Sequence, residues 1–306
     1  MASSKKRVLV VGLTVLDIIN YCERFPREDE DMRVVSQRWS SGGNATNTAK
    51  VLAQLNVEVY LFSALSSLPE YMGVISELQS MGVDISFCPQ LPKMLPCSSC
   101  IVSLESSTRT ILHCPNNFPW TNVDDFLKID LNTFDLIHFE GRGFPATGKM
   151  LEHAKTKQLE SDCQFIISGE MESVRRMVDL DAYILPLVDV LFLSKGIAVC
   201  KGFHDAQDAA VNIANMPDIA AKYVICPWGE DGATACARVD SKVDTVSCKA
   251  FPPEKVLDTL GAGDTFIAGC LAAILTKRSL VNIISYGCEI AGKKCGIRGF
   301  DLSTSS

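Results

Sequence analysis

Short apolar runs alternate along this chain with helical or turn-rich stretches, and nothing else in the sequence constrains the fold as tightly. Buried-type strands are read at Val8–Val11, Val57–Ala64, Leu136–Phe139, Phe165–Ser168, Val188–Leu193 and Tyr223–Cys226. Strands apolar on both faces need cover above and below, which a parallel sheet receives from helices packed on each side. Apolar residues at helical spacing supply those helices over Asn44–Leu55, Thr147–Lys157, Asp205–Asn215, Asp264–Leu275 and Leu280–Cys295. The expected fold class is α/β, a three-layer α/β/α sandwich with a mostly parallel central sheet. With 306 residues, 47% of them hydrophobic, residues 1–306 suffice for one large domain of this kind.

Two stretches break the alternation, at about 16–39 and 95–114. In the second, Cys97–Leu104 and Arg109–Cys114 flank the turn-forming Glu105-Ser106-Ser107-Thr108. Together the two segments are expected to form a discontinuous, four-stranded β lid over the carboxyl edge of the main sheet, where open α/β folds bind ligands. Its exposed edge or face would favour a second copy of the chain, and so a homodimer.

A net charge of −7 and a pI near 5.2 argue against a general nucleic-acid or anionic-membrane surface. No stretch reaches the roughly 18 apolar residues of a membrane span. The start imitates a signal peptide, with Lys5-Lys6-Arg7 before Val8–Leu16, but Asp17 follows and no small-residue cleavage site does. A cytoplasmic protein is expected, in which the Asn44-Ala45-Thr46 sequon is irrelevant. Of the thirteen cysteines only Cys97 and Cys100 make a Cys-x-x-Cys. On a strand these two side chains point to opposite faces, so reduced thiols are expected rather than a zinc site.

The strongest chemical signal is Leu257-Asp258-Thr259-Leu260-Gly261-Ala262-Gly263-Asp264, ahead of the apolar helix that runs from Asp264. Free N–H groups at a helix start suit phosphate oxygens. Asp264 among them is a poor permanent phosphate ligand but a good base for a hydroxyl that attacks one. A plain cap, with Asp264 complementing the helix dipole, explains the same run equally well. A competing phosphate loop is read at Gly143-Phe-Pro-Ala-Thr-Gly148-Lys149. Met150 stands where its hydroxyl ligand to Mg²⁺ belongs, and Pro145 stiffens it.

Asp17 and Gly42-Gly43-Asn44-Ala45-Thr46-Asn47 offer a carboxylate and carboxamides for neighbouring hydroxyls, as a polyol requires. Taken singly, Asp17 also suits a turn and Asn44 a helix N-cap. Pro227-Trp228-Gly229-Glu230-Asp231-Gly232 fits either a loop beside a nucleotide or a tight hairpin turn, and Arg109 could clamp phosphates from the lid.

In order and spacing, Asp17, Gly42-Gly43-Asn44 with Asn47, Gly229–Gly232, and Asp258-Thr259 before Gly261–Asp264 resemble the ribokinase-like (PfkB) carbohydrate kinase family over nearly the whole chain. Longer runs are similar to its hepatic-type fructokinase branch: Ser36–Trp39, Arg109–Leu112, His138–Arg142, Ala250–Pro253 and Ala291–Gly296. The resemblance implies D-fructose phosphorylated at its 1-hydroxyl by MgATP, with Asp264 as base and the Gly261, Ala262 and Gly263 amides as anion hole. It places the sugar on Asp17, Gly43, Asn44, Asn47 and Glu140, with Asp29 reaching from a partner subunit joined through the lids. ATP would meet Arg109, Gly229, Glu230, Asp231, Gly232 and Cys288. Glu170 and Glu172 would touch Mg²⁺ through water, and activation by K⁺ is implied as well.

Three departures stand out. Ser194-Lys195-Gly196-Ile197 replaces the family's Asn-x-x-Glu element, His113-Cys114-Pro115 an aromatic and acidic segment, and Pro227 and Gly229 flank Trp228 where alanines are usual. Another ribokinase-like sugar or nucleoside kinase, or a sugar-responsive binding protein of low activity, are the alternatives to a fructose kinase.

Overall fold

The structure is a computed structural model, and it describes residues 5–106, 108–160, 165–172, 177–239 and 242–304. Its frame is a nine-stranded sheet in the order Lys242–Cys248, Ala233–Val239, Tyr223–Pro227, Val190–Leu193, Ile166–Met171, Leu136–Phe139, Arg7–Val11, Glu58–Phe62, Val83–Asp84. From Tyr223–Pro227 to Val83–Asp84 all neighbours pair parallel; the two outer strands close an antiparallel hairpin.

Successive side chains of these strands enter different cores, as the period of two demands. Val8 and Val10 pack under the helices Asn44–Gln54, Met72–Ser80, Ala262–Leu275 and Leu280–Cys295, while Leu9 and Val11 pack on the opposite side with Ala146–Glu160 and Ala206–Ala214. Leu136 against Ile137, and Val190 against Leu191, divide the same way. The result is the three-layer sandwich that the apolar runs require.

A separate four-stranded sheet is ordered Ser36–Gly42, Val15–Cys22, Cys97–Ser103, Thr108–Cys114. It joins two distant segments because Val15–Cys22 pairs parallel with Cys97–Ser103. Cys97 and Cys100 alternate between half-buried and buried positions on that strand. Ser107, in the expected turn, lies outside the described residues.

Several boundaries differ from the sequence reading. Ile166–Met171 extends three residues past the expected end, carrying Glu170 into the sheet. Ala262–Leu275 begins two residues early, since Gly261 at φ 74° serves as its N-cap. Ala233–Val239 and Lys242–Cys248 were not expected as strands. The competing phosphate loop fails on geometry, because the helix Ala146–Glu160 already includes Thr147, Gly148 and Lys149, and Met150 is buried in the core. Among the described residues, no helix is long and apolar enough to cross a membrane.

Candidate active site

Chain order along the sheet reverses between Arg7–Val11 and Leu136–Phe139: one leads on to Glu58–Phe62, the other to Ile166–Met171. At such a switch point the loops after neighbouring strands part, leaving a crevice. Leu13, Glu140 with Arg142, and Glu172 follow three adjacent strand ends and all line a cavity of about 260 Å³ there. Asp17, Ser98, Arg109, Ile111 and His113 of the small sheet line it too, with Gly43, Asn44, Asn47, Leu260, Gly261, Gly263 and Asp264 from the helix starts.

Asp264 is the third residue of Ala262–Leu275 and is buried. Its carboxylate accepts from Asn47 Nδ2 at 2.8 Å. Burial, with the Glu172 charge next in weight, pushes its pKa up to about 7. The Ala262 amide donates to the Thr259 carbonyl at 3.3 Å. Of the three expected anion-hole amides, this one is therefore already engaged. A Cβ on Gly263 would meet nothing within 4 Å, so no protein atom claims the space beside it, whereas one on Gly261 would strike the Phe300 ring at 2.3 Å.

The sugar-type residues assemble around this base. Asp17 lies within Val15–Cys22, not in a turn, and Gly42 leaves room for its carboxylate: a Cβ there would come within 1.9 Å of Oδ2. Burial raises the Asp17 pKa to about 6, opposed by the nearby Lys50 charge and the Ser98 hydroxyl. Asn44 is not the N-cap; Gly43, at φ 98°, holds that place. The Asn44 Nδ2 instead donates to Glu170 at 3.0 Å and Glu172 at 2.7 Å. Asn47 Oδ1 is buried without a hydrogen bond, an acceptor open to a ligand hydroxyl.

Glu140 accepts from the Leu13 and Ala45 amides at 2.8 and 3.3 Å and pairs with Arg142 Nε at 2.9 Å. Arg142 also reaches Glu172 at 2.9 Å. Burial, with Glu172, Glu140 and Asp264 around it, pushes the Glu170 pKa well above the ordinary carboxylate range. This acidic cluster fits a hydrated divalent cation. Among the described residues no group of three or more His, Cys, Asp or Glu is arranged to hold a metal directly.

A model of the pfkB family of carbohydrate kinases matches residues 5–305. The chain belongs to that family. It is 37% identical over 303 residues to a ketohexokinase of Mus musculus, covering 97% of this chain and 98% of the mouse one. A nucleoside kinase of Methanothermobacter thermautotrophicus is 24% identical over 91% of this chain and 85% of its own. Among solved structures, the ribokinase of Giardia lamblia superposes with a TM-score of 0.80 at 16% identity, covering 99% and 96% of the two chains. That of Arabidopsis thaliana, complexed with ribose and ATP, gives 0.77 at 17%, covering 97% and 94%.

As a pfkB-family member the chain is an ATP-dependent carbohydrate kinase, and its remaining candidate residues fall into two further places. Arg109 lines the cavity and donates from Nη1 to Thr259 Oγ1 at 2.8 Å, tying the small sheet to the Asp264 turn. Gly229–Asp231 form a short 3-10 turn in the hairpin between Tyr223–Pro227 and Ala233–Val239. Gly232 rests against the Cys248 carbonyl, and the Cys248 sulfur lies 3.5 Å from that of Cys288. This neighbourhood lines no part of the Asp264 cavity, and neither does Asp29, which sits at φ 60° in an exposed segment. Ser194 caps Lys195–Cys200 by accepting from the Ile197 amide at 3.2 Å.

Sequence reasoning did not assign a role to Ser98, His113, Arg142, Lys50 or Lys294. Lys294 is fully buried and pairs with Asp258 at 3.0 Å, and Asp258 accepts from the Leu260 amide at 2.9 Å. Both lysine ammoniums lie over the Phe300 ring, at 4.3 Å for Lys50 and 5.4 Å for Lys294, directly behind the Gly261 turn. Helical spacing shows Lys294 in the sequence, since Ile283, Gly287, Ile290 and Lys294 share one face.

Proposed function

We propose that this chain is a ketohexokinase, transferring the γ-phosphoryl group of ATP to the 1-hydroxyl of D-fructose. The observation that carries the reading is one cavity shared by Asp264, a buried carboxyl with a pKa near 7, and by the acceptors Asp17 and Asn47 Oδ1. The extent of the likeness to the mouse ketohexokinase supports the choice of sugar.

In this mechanism Asp17, Asn44, Asn47 and the Gly43 backbone orient the sugar, with Glu140 fixing the wall behind them. Asp264 accepts the hydroxyl proton as the oxygen attacks in line, which a pKa close to ambient pH favours. The Gly261 and Gly263 amides face the phosphoryl oxygens at the positive end of the helix, while the Ala262 amide, engaged by Thr259, holds the turn in shape. Arg109 and the Gly229–Gly232 and Cys288 neighbourhood hold the nucleotide. Mg²⁺, when bound, neutralises phosphate charge; Glu170 and Glu172 would hold it through water. K⁺ activation is part of the same reading.

A homodimer through the small sheets also follows. Val35, Trp39, Ile111 and Leu112 are exposed there, and every residue of the edge strand Thr108–Cys114 is exposed. Asp29 would then meet the partner's sugar site. A cytoplasmic location accords with the reaction's substrates.

The deciding experiment offers fructose, tagatose, ribose and adenosine with MgATP and identifies the product by NMR. Fructose 1-phosphate is expected. A clear preference for ribose or adenosine would overturn the ketohexokinase reading in favour of another ribokinase-like activity, and fructose binding without product would favour a binding protein.

A further inference from the structure

Two thiols outside the Asp264 cavity are within reach of one another. Cys248 ends the outer strand Lys242–Cys248, Cys288 sits midway along Leu280–Cys295, and their sulfurs are 3.5 Å apart. Cys288 is buried and Cys248 half-buried, so the pair meets solvent through Cys248. A disulfide needs about 2.05 Å between sulfurs, a closure of about 1.5 Å from the 3.5 Å separation.

The two sulfurs are not equivalent. The contact with the Cys288 sulfur is the chief cause that holds the Cys248 thiol below its ordinary range, and the backbone amide of Ala233 acts in the same direction. The Cys288 thiol is raised by the same contact and by burial. Cys248 is the half-buried sulfur an oxidant can reach while Cys288 is buried, and thiolate is the form that attacks, so Cys248 is the attacking partner and Cys288 the resolving one. Their backbone surroundings also matter: Ala233 pairs with Cys248, and a Cβ on Gly232 would meet the Cys248 carbonyl at 2.1 Å. A shift of the Cys248 backbone toward the helix would therefore press on the Gly229–Gly232 turn.

We propose that Cys248 and Cys288 are an oxidisable pair whose disulfide pins the outer strand to the Leu280–Cys295 helix and weakens ATP binding. The second half rests on the nucleotide reading of the Gly229–Gly232 turn and Cys288. The oxidant is a peroxide. Cys248 thiolate attacks one peroxide oxygen and the O–O bond breaks, leaving a sulfenic acid on Cys248 and, after protonation, water or an alcohol. The Cys288 sulfur then attacks the sulfenic sulfur, and the departing hydroxide takes the Cys288 proton as water. Two thiols lose two electrons and two protons, and the peroxide is reduced.

The test treats the reduced full chain with graded hydrogen peroxide, blocks remaining thiols, and maps peptides without reductant. A Cys248–Cys288 linked peptide is expected while buried Cys88 and Cys226 stay reduced, with dithiothreitol reversing it. In C288S the Cys248 sulfenic acid has no resolving thiol, and dimedone should label it. Exposed Cys114 and Cys200 serve as internal comparison. Failure of the link to form, or no dimedone label on Cys248, overturns the pair.

The second arm measures KM for ATP before and after oxidation. A rise of about fivefold or more, the usual scale of coupling between sites, is expected with the KM for fructose unmoved, and C248S should abolish it. A link that forms while KM for ATP stays constant overturns the coupling. Failure of the kinase reading is separable, because it shows as absent turnover in the reduced protein while the peptide map is unaffected.

Discussion

The cavity has two unlike walls. On the helix side, all residues from Asp264 to Leu275 are buried, Asp264 is held by Asn47, and Lys294, Asp258 and Phe300 brace the Gly261 turn from behind. On the small-sheet side, Asp17 is buried, but His113, Ile111 and Arg109 come from an edge strand exposed along its full length. A wall braced by buried charge pairs cannot yield without breaking them, which suits the placing of a base and an anion hole. The edge strand has a strand partner on one side only, with Arg109 reaching across to Thr259, so it is the less braced wall and the one suited to choosing among ligands. Chemistry should therefore fail when the first wall is altered, and affinity when the second is.

The largest effect is expected from Asp264→Asn, which keeps the shape and removes the base: kcat should fall by about 10²- to 10⁴-fold while fructose and ATP still bind, as steady-state kinetics and calorimetry would record. Turnover near that of the unaltered protein would remove Asp264 from proton transfer. Next comes Lys294→Met, which leaves Asp258 buried without its cation and should cost about 3–5 kcal/mol in urea unfolding. The adjacent Lys293, paired with Glu289 at the surface, should cost only about 0.3–0.5 kcal/mol when changed to Met. Equal losses would mean that the brace contributes nothing particular.

The walls also differ in pH. Asp264 acts as base only when deprotonated, and its pKa is raised to about 7, so kcat should fall roughly tenfold per unit as pH drops below 7 and level off above it. Asp17, raised to about 6, loses acceptor capacity only below that value, so KM for fructose should climb at a lower pH than kcat falls. Coincident profiles would erase the distinction.

The smallest effect is expected at His113, whose Nδ1 lies 3.1 Å from Ser98 Oγ on the exposed-strand wall. His113→Ala should raise KM for fructose by about fivefold, one hydrogen bond's worth, with kcat unchanged. A loss in kcat instead would place His113 with the chemistry.

Much of the frame is legible in the sequence because apolar periodicity is a local property that burial later enforces: Val8–Val11 and Leu280–Cys295 need no tertiary knowledge. The outermost strand was missed because Lys242–Cys248 mixes half-buried with exposed residues and so carries no apolar run. The Asn44 side chain reads as a cap, since N-capping is its commonest local use, yet Gly43 adopts a positive φ and leaves the amide free to bridge two glutamates 126 and 128 residues away. Lys50 and Lys294 defy the rule that ammonium groups stay wet; partners at Glu77 and Asp258 make the exceptions possible.

By itself, then, the sequence determined a parallel α/β sandwich and a glycine-rich helix start carrying one carboxylate. Those follow from side-chain period and from short, contiguous motifs. Only the tertiary structure decided that Asp17, Asn47, Glu172 and His113 share a cavity with Asp264, that Ala262 spends its amide on Thr259, and that Cys248 faces Cys288. Such facts depend on contacts between distant segments, and on the desolvation that those contacts impose, which moves a carboxyl from its ordinary acidity to about 7.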